Sequence, residues 1–172
     1  MHKVSIIPRG VAALGYTMQL PVIEKFLSTE AELKDQIAIL LAGRVAEEII
    51  FGDISSGASN DLERASELAR SMITRLGMSK KLGPLTYGKQ QELQYLGIQG
   101  QEERNFSEAT AQMIDEEIRQ IIEEQYQRAT EILTGKRTVL EALAARLEEK
   151  EVISGAEVDE VIQETDPVPS EK

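Results

Sequence analysis

The apolar residues of the chain recur mainly at the spacing of amphipathic helices. Thr29 and Glu32 have the spacing of a capping box, and Gly52 provides a natural stop, so a helix is predicted between them. This helix is apolar around much of its circumference, and we therefore expect it to lie at the centre of the core. Its recurring apolar residues are Leu33, Ile37, Leu40, Leu41 and Ile49.

The same spacing predicts four further helices. One starts within "SSGASNDLERASELAR", residues 55–70, and ends at Gly77, with an apolar face that includes Leu62 and Leu76. A long amphipathic helix then runs from Ser107 until Gly135 breaks it. Two capping boxes predict where the last two helices begin: Thr138 with Glu141, and Ser154 with Glu157.

Alternating apolar and polar residues near the N-terminus predict a β-hairpin. "HKVSIIPRG" is typical of a short strand that ends at a turn, and "ALGYTMQLP" alternates at period two. Another short strand is expected around "GPLTYG", residues 83–88, followed by a mobile loop over residues 90–105. The predicted fold is mainly α, with a small β-hairpin near the N-terminus and a C-terminal antiparallel helical hairpin.

Composition narrows the possible functions. The 172 residues carry a net charge of −11, and such a surface repels phosphate backbones, so we expect no nucleic-acid partner. No apolar run is long enough to span a bilayer, so we expect no membrane insertion by these residues. Cysteine is absent and His2 is the single histidine. Because zinc sites draw on His and Cys, His2 alone cannot form one.

Asp61 falls in the first turn of the second predicted helix, with Ser59 or Asn60 as the expected cap. A carboxylate there interacts favourably with the positive helix end, worth roughly 0.3–1 kcal/mol, so a structural role is one interpretation. A metal ligand is the other, since Leu62 and Ala65 beside it face the core and allow an inward orientation. An inward carboxylate requires an ionic partner or a cation.

Two glutamates near the end of the first predicted helix are candidate neighbours of Asp61. Glu47 and Glu48 lie in "RVAEEIIFG", close to the Gly52 stop. A solvated helix edge is the simpler interpretation of both carboxylates. The residue types alone therefore leave the structural and the functional interpretation open.

Several long segments together resemble the peptidase domain of FtsH, a family of membrane-bound AAA+ zinc proteases. They are "HKVSIIPRG", "LLAGRVAEEIIFGD", "SSGASNDLERASELARSMITRLGMS", "LGPLTYG" and "DEEIRQIIEEQYQRATEIL". These segments occur in order, and the resemblance extends from His2 to about Val161. It implies one peptidase domain over residues 1–164, with a metal-site half over 1–106 and a helical half over 107–164. A disordered tail is expected over residues 165–172.

The resemblance implies a zinc site and a role for two residues. In the family, a His-Glu-x-x-His helix shortly before "HKVSII" supplies two zinc ligands and the general base, because histidines one turn apart share a helix face. The aspartate of "ASND", which is Asp61 here, is the third zinc ligand. The first glutamate of "AEE", Glu47 here, orients a ligand histidine. The implied activity is peptide hydrolysis by zinc-activated water, with ATP used through a separate ATPase module.

The resemblance also sets expectations for these residues on their own. Because residues 1–172 start after the position of the motif helix, we expect neither bound zinc nor catalysis from them alone. Asp61 would then serve as a helix-end carboxylate. The family further implies a homohexamer, unfolded or membrane protein substrates, and a place on the cytoplasmic side of a membrane, with this part soluble. The alternative is a non-catalytic assembly or regulatory module that contacts FtsH-like ring subunits.

Overall fold

The structure is a computed structural model that describes residues 2–8, 16–18, 27–88 and 105–166. The chain divides into two compact units, one of residues 28–131 and one that combines residues 1–27 with 132–172. The described residues are mainly helical and include a small antiparallel sheet. The predicted mainly α fold is therefore confirmed.

The unit of residues 28–131 is built on three helices. They are α1 (Glu30–Phe51), α2 (Ser59–Thr74) and α3 (Glu108–Gly135), of which α3 contributes its residues up to 131. Helix α1 packs against α2, and a 3-10 turn, Ser56–Ala58, connects them. Branched and long apolar side chains fill the core, and the largest that are fully buried are Ile37, Leu41, Met72, Ile73 and Ile114.

Both ends of α1 agree with the sequence pattern. Thr29 accepts a hydrogen bond from the Glu32 amide, and the Glu32 side chain accepts one from the Thr29 amide, which completes the predicted capping box. Gly52 ends the helix with φ at 67°, a left-handed conformation that glycine adopts without a steric penalty. Ile37 is 0% exposed, so the expected central position of this helix is confirmed.

The start of α2 differs from the prediction. Its N-cap is Ala58, which makes no side-chain hydrogen bond, so the caps predicted at Ser59 or Asn60 are wrong. The reason is that Ser55 caps the preceding 3-10 turn, and the helix continues directly from that turn. At the other end, Leu76 lies beyond the helix and is 51% exposed rather than part of the apolar face.

The strand predicted at residues 83–88 does not form. The segment has only an isolated bridge between Ser79 and Gly83, and the Tyr87 amide donates to the Thr74 carbonyl at 2.8 Å. The segment therefore lies against the end of α2, and no strand among the described residues is next to it to form a ladder. Most of the loop predicted over residues 90–105 lies outside the described residues.

The second unit contains the sheet. Strands β1 (Lys3–Ser5), β2 (Tyr16–Met18) and β3 (Val152–Ser154) are antiparallel in the order β2-β1-β3, and Val4 lies opposite both Thr17 and Ile153. The pairing of β1 with β2 confirms the predicted hairpin strands, although the predicted turn after Pro8 falls outside the described residues. Strand β3 was not predicted.

Two helices complete this unit. They are α4 (Arg137–Lys150) and α5 (Gly155–Thr165), and α4 packs against α5 and β3. The Ser154–Glu157 capping box is confirmed, whereas α4 begins after Lys136 without a side-chain cap, so the predicted Thr138 box is wrong. Only Lys136 separates α4 from α3, which leaves no segment in which Thr138 could act as a cap. The domain boundaries predicted at residues 106 and 164 stay predictions, and residues 167–172 of the predicted tail lie outside the described residues.

Candidate functional site

Asp61 occupies the third position of α2, within the first turn. Its side chain is 48% exposed, and Arg64 Nη1 lies 3.7 Å from Asp61 Oδ1. Arg64 is itself 63% exposed, and exposed ion pairs of this kind contribute little free energy. The Asp61 carboxylate is therefore held loosely at the surface, next to the positive end of the helix. It is accessible to a ligand rather than turned into the apolar core.

Glu47 is bound to the loop that precedes α2. Its Oε1 accepts a hydrogen bond from the Ser55 hydroxyl at 2.7 Å, and its Oε2 accepts one from the Ser55 amide at 3.2 Å. The hydroxyl bond is the main cause, and the amide bond the next, of a pKa of Glu47 below its ordinary value. Glu47 is therefore an ionised acceptor that connects the last turns of α1 to this loop.

Ser55 is the centre of this contact. Its hydroxyl also accepts from the Gly57 amide at 3.0 Å, and its carbonyl accepts from Arg44 Nη1 at 3.1 Å. A Cβ added at Gly57 would lie 3.1 Å from the Ser55 hydroxyl, so the turn has little room for a side chain there. We call Arg44, Glu47, Ser55 and Gly57 the Ser55 cluster.

Glu47 was predicted as a site residue from the sequence, whereas Ser55 and Arg44 were not. A signal was present at Ser55, since a serine two residues before a glycine is typical of a side-chain-capped turn. Arg44 gave no local signal, because its partner is a backbone carbonyl 11 residues away in the chain.

A small cleft lies beside the Ser55 cluster. It has a volume of about 240 Å³, and its wall includes Glu47, Ser55, Phe51 and Ile54. Phe51 is 77% exposed, so this end of α1 presents an aromatic ring to solvent next to a carboxylate.

The second candidate glutamate, Glu48, has a different role. Its carboxylate accepts a hydrogen bond from the Tyr126 hydroxyl, which ties α1 to α3. Within the described part of the chain, no hydrogen bond or ion pair joins Glu47 or Glu48 to Asp61. The structure therefore places Asp61 and Glu47 on two consecutive elements, linked through Ser55 and the 3-10 turn.

The fit of these residues to a metal ion depends on the number of available ligands. Asp61 has the chemistry and the exposure that one zinc ligand requires. In the described ranges, however, no three His, Cys, Asp or Glu side chains are grouped so that they could hold a metal ion. His2, the only histidine, is exposed and belongs to the other unit. Asp61 thus fits one position of a zinc site, and the described residues do not supply the rest.

Comparison with known proteins defines the family. The model of Peptidase family M41 matches residues 1–161, and the chain belongs to that family. The ATP-dependent zinc metalloprotease FtsH of Methylococcus capsulatus is 68% identical over 164 residues, which cover 95% of this chain and 26% of that protein.

Two further relatives are also ATP-dependent zinc metalloproteases named FtsH. FtsH of Syntrophobacter fumaroxidans is 52% identical over 165 residues, covering 95% of this chain and 26% of the relative. FtsH of Thermotoga maritima is 48% identical over 164 residues, covering 95% and 27% respectively. The chain thus spans about a quarter of the length of the curated relatives it matches. None of the helices in the described ranges has the length and apolar character needed to cross a bilayer.

Proposed function

We propose that residues 1–172 are part of the proteolytic domain of an ATP-dependent zinc metalloprotease, and that Asp61 is one of its zinc ligands. The observation that carries the proposal is the accessible Asp61 carboxylate, fixed in the first turn of α2 in a chain of family M41. Helix α2 is anchored in the core through Ala65 and Met72, both 0% exposed, one turn or more after Asp61.

The remaining zinc ligands come from outside these 172 residues. Catalytic zinc takes three protein ligands as a rule, and this sequence has one histidine and no cysteine. We therefore expect residues 1–172 alone to bind no stoichiometric zinc and to cleave no peptide bond.

Glu47 supports the site by orienting a histidine ligand. Each of its carboxylate oxygens accepts one hydrogen bond from Ser55, and each keeps a further lone pair. Glu47, whose pKa lies below its ordinary value, is ionised at neutral pH, so it can accept an imidazole N–H and fix the tautomer of that histidine.

The family also suggests a wider setting for the protein. We propose a homohexamer that degrades unfolded and membrane proteins, with ATP consumed by a separate ATPase module, on the cytoplasmic side of a membrane. The relatives are named as ATP-dependent zinc metalloproteases, which supports the proposed use of ATP and of zinc. A non-catalytic module that contacts FtsH-like ring subunits is the competing function.

A chimera tests the proposal. A helix that carries the His-Glu-x-x-His motif expected from the family is placed before residue 1, and zinc is measured by metal analysis after dialysis. We expect one zinc per chimera and none for residues 1–172. Asp61→Ala in the chimera is expected to weaken zinc binding at least tenfold and to abolish casein digestion. Glu63→Ala, an exposed carboxylate on the same helix, is the matched control and should leave both unchanged.

Two results would contradict the proposal. If Asp61→Ala lowers only the thermal stability of the chimera, Asp61 is a helix-end carboxylate and not a ligand. Tight, chelator-sensitive zinc at one per chain in residues 1–172 alone would overturn the expected dependence on outside ligands.

A further inference from the structure

Ser55 uses all of its polar groups to join α1 to the turn that leads into α2. We infer that Ser55 is a positioning residue, which fixes this turn on α1 and thereby sets where Asp61 lies. The inference rests on the proposed function only in its consequence for zinc. The mechanical link from Ser55 to Asp61 can be tested without any metal.

Several hydrogen bonds converge on Ser55. Ser55 takes part in four hydrogen bonds: two donated to Glu47, one accepted from Gly57 and one accepted from Arg44. A serine hydroxyl offers one donor and two acceptor sites, so the donor is used and one acceptor is occupied. No other residue type except threonine provides the same hydroxyl at this position.

Hydrogen bonds rather than apolar burial hold the segment between α1 and Ala58. Residues 51–57 are all exposed, and the first buried side chain after α1 is Ala58. Apolar burial therefore does not fix the path of the chain between α1 and the turn. Hydrogen bonds to charged groups are about twice as strong as bonds between neutral groups. Both Arg44 and Glu47 are charged, so their bonds to Ser55 belong to the stronger kind.

Helix α1 presents both partners of Ser55 on the same face. Arg44 and Glu47 are three residues apart and share one face of the helix, where side chains at this spacing are neighbours. One donates to the Ser55 carbonyl and the other accepts from the Ser55 hydroxyl and amide. Both the amide and the carbonyl of Ser55 are thus bound to α1. The 3-10 turn that follows Ser55 leads directly into the first turn of α2.

The test uses isotopically labelled residues 1–172 and NMR. Ser55→Ala removes the hydroxyl, Ser55→Thr keeps it, and Ser59→Ala removes an exposed hydroxyl with no hydrogen bond. In Ser55→Ala we expect at least tenfold faster hydrogen exchange at the Gly57 amide. We also expect the Asp61 amide order parameter to fall from about 0.85 towards 0.6. The Glu47 carboxyl carbon should titrate at a higher pH.

Ser55→Thr should reproduce the original protein in all three measurements, and Ser59→Ala should change none of them by more than twofold. If Ser55→Ala behaves like Ser59→Ala, the inference is overturned. Arg44→Met is a second variant, which removes the donor to the Ser55 carbonyl together with the positive charge near Glu47. It should lower the Asp61 order parameter in the same direction, and it keeps the test informative if Ser55→Ala does not fold.

The consequence for zinc is measured in the chimera described above. Ser55→Ala is expected to weaken zinc binding about tenfold relative to Ser59→Ala, with recovery in Ser55→Thr, which is the range seen for residues that orient metal ligands. Should Asp61→Ala leave zinc binding intact, the proposed function fails while the NMR result still decides the role of Ser55. Should Asp61→Ala abolish zinc binding while Ser55→Ala has no effect on zinc or on the NMR measurements, only the positioning inference fails.

Discussion

The Tyr126 hydroxyl on α3 donates a hydrogen bond to the carboxylate of Glu48 on α1. This bond, followed by partial burial, raises the pKa of Tyr126 above its ordinary value of 10.0. The two residues are 78 positions apart in the chain, so the bond fixes α3 on α1 at a point near the candidate site.

Replacing Tyr126 by Phe tests this contact. We expect the free energy of unfolding to fall by about 1 kcal/mol at pH 7, because the bond is lost while the ring is kept. A raised pKa means that the contribution is complete below pH 10 and is lost as the pH rises through the folded-state value. Urea unfolding at pH 7 and above pH 10 measures both effects. If the difference in free energy of unfolding between the original protein and Tyr126→Phe does not shrink at high pH, the Tyr126–Glu48 bond is not its cause.

Ser79→Ala should destabilise the protein more than Ser59→Ala, although each variant removes one serine hydroxyl. Ser79 is buried, its hydroxyl donates to Glu117 Oε2 at 2.9 Å, and it accepts from the Leu82 amide at 2.9 Å. Removing the hydroxyl leaves a buried N–H unsatisfied, at a cost of about 1–3 kcal/mol. Ser59→Ala is the matched control and should stay within about 0.5 kcal/mol. Equal midpoints for the two variants in urea would show that Ser79 is dispensable.

Two glycines of α1 should respond to alanine with opposite signs. Gly43 lies inside the helix with no atom within 4 Å of an added Cβ, so Gly43→Ala should stabilise the protein by roughly 0.5–1 kcal/mol. Gly52 has φ at 67°, so Gly52→Ala should destabilise it by about 1 kcal/mol. Thermal unfolding of both variants measures the sign of the change in stability. If both changes have the same sign, backbone conformation does not explain the effect of alanine at these positions.

Glu157 should make part of the stability of the chain depend on pH in the acid range. Its bond with Lys150, then the Ser154 amide and hydroxyl, lower its pKa from 4.5 to about 2. A lowered pKa means that the contribution is present above pH 4.5 and is lost as the pH falls towards 2. Glu157→Gln keeps an acceptor for the capping box but removes the charge. We expect the variant to be less stable at pH 7 and the gap to close by pH 2, as followed by circular dichroism in urea. A constant gap would contradict this.

The helical features that were predicted correctly from the sequence depend on neighbours within one helical turn. The capping boxes of α1 and α5 each join residues three positions apart, so the sequence pattern contains both partners. Helical spacing in the same way indicated the buried face of α1, including Ile37 and Leu41. The position of Asp61 in the first turn of α2 followed from the same local rules.

The incorrect or missing features depend on distant partners. Strand β3 forms because its residues pair with β1, where Ile153 lies opposite Val4, and no local pattern encodes that pairing. The strand expected at residues 83–88 fails for the converse reason, since Tyr87 bonds to the end of α2. The caps expected for α2 and α4 were wrong because the preceding turns already determine where these helices begin.

The sequence by itself determined the helical elements, most of their ends and the family to which the chain belongs. Only the tertiary structure decided that Glu47 binds Ser55, that Glu48 binds Tyr126, and that Asp61 stays accessible at the surface. The physical reason is the range of the interactions. Helix propensity and capping act over three or four residues, whereas the site is set by hydrogen bonds between elements whose approach depends on how the whole core packs.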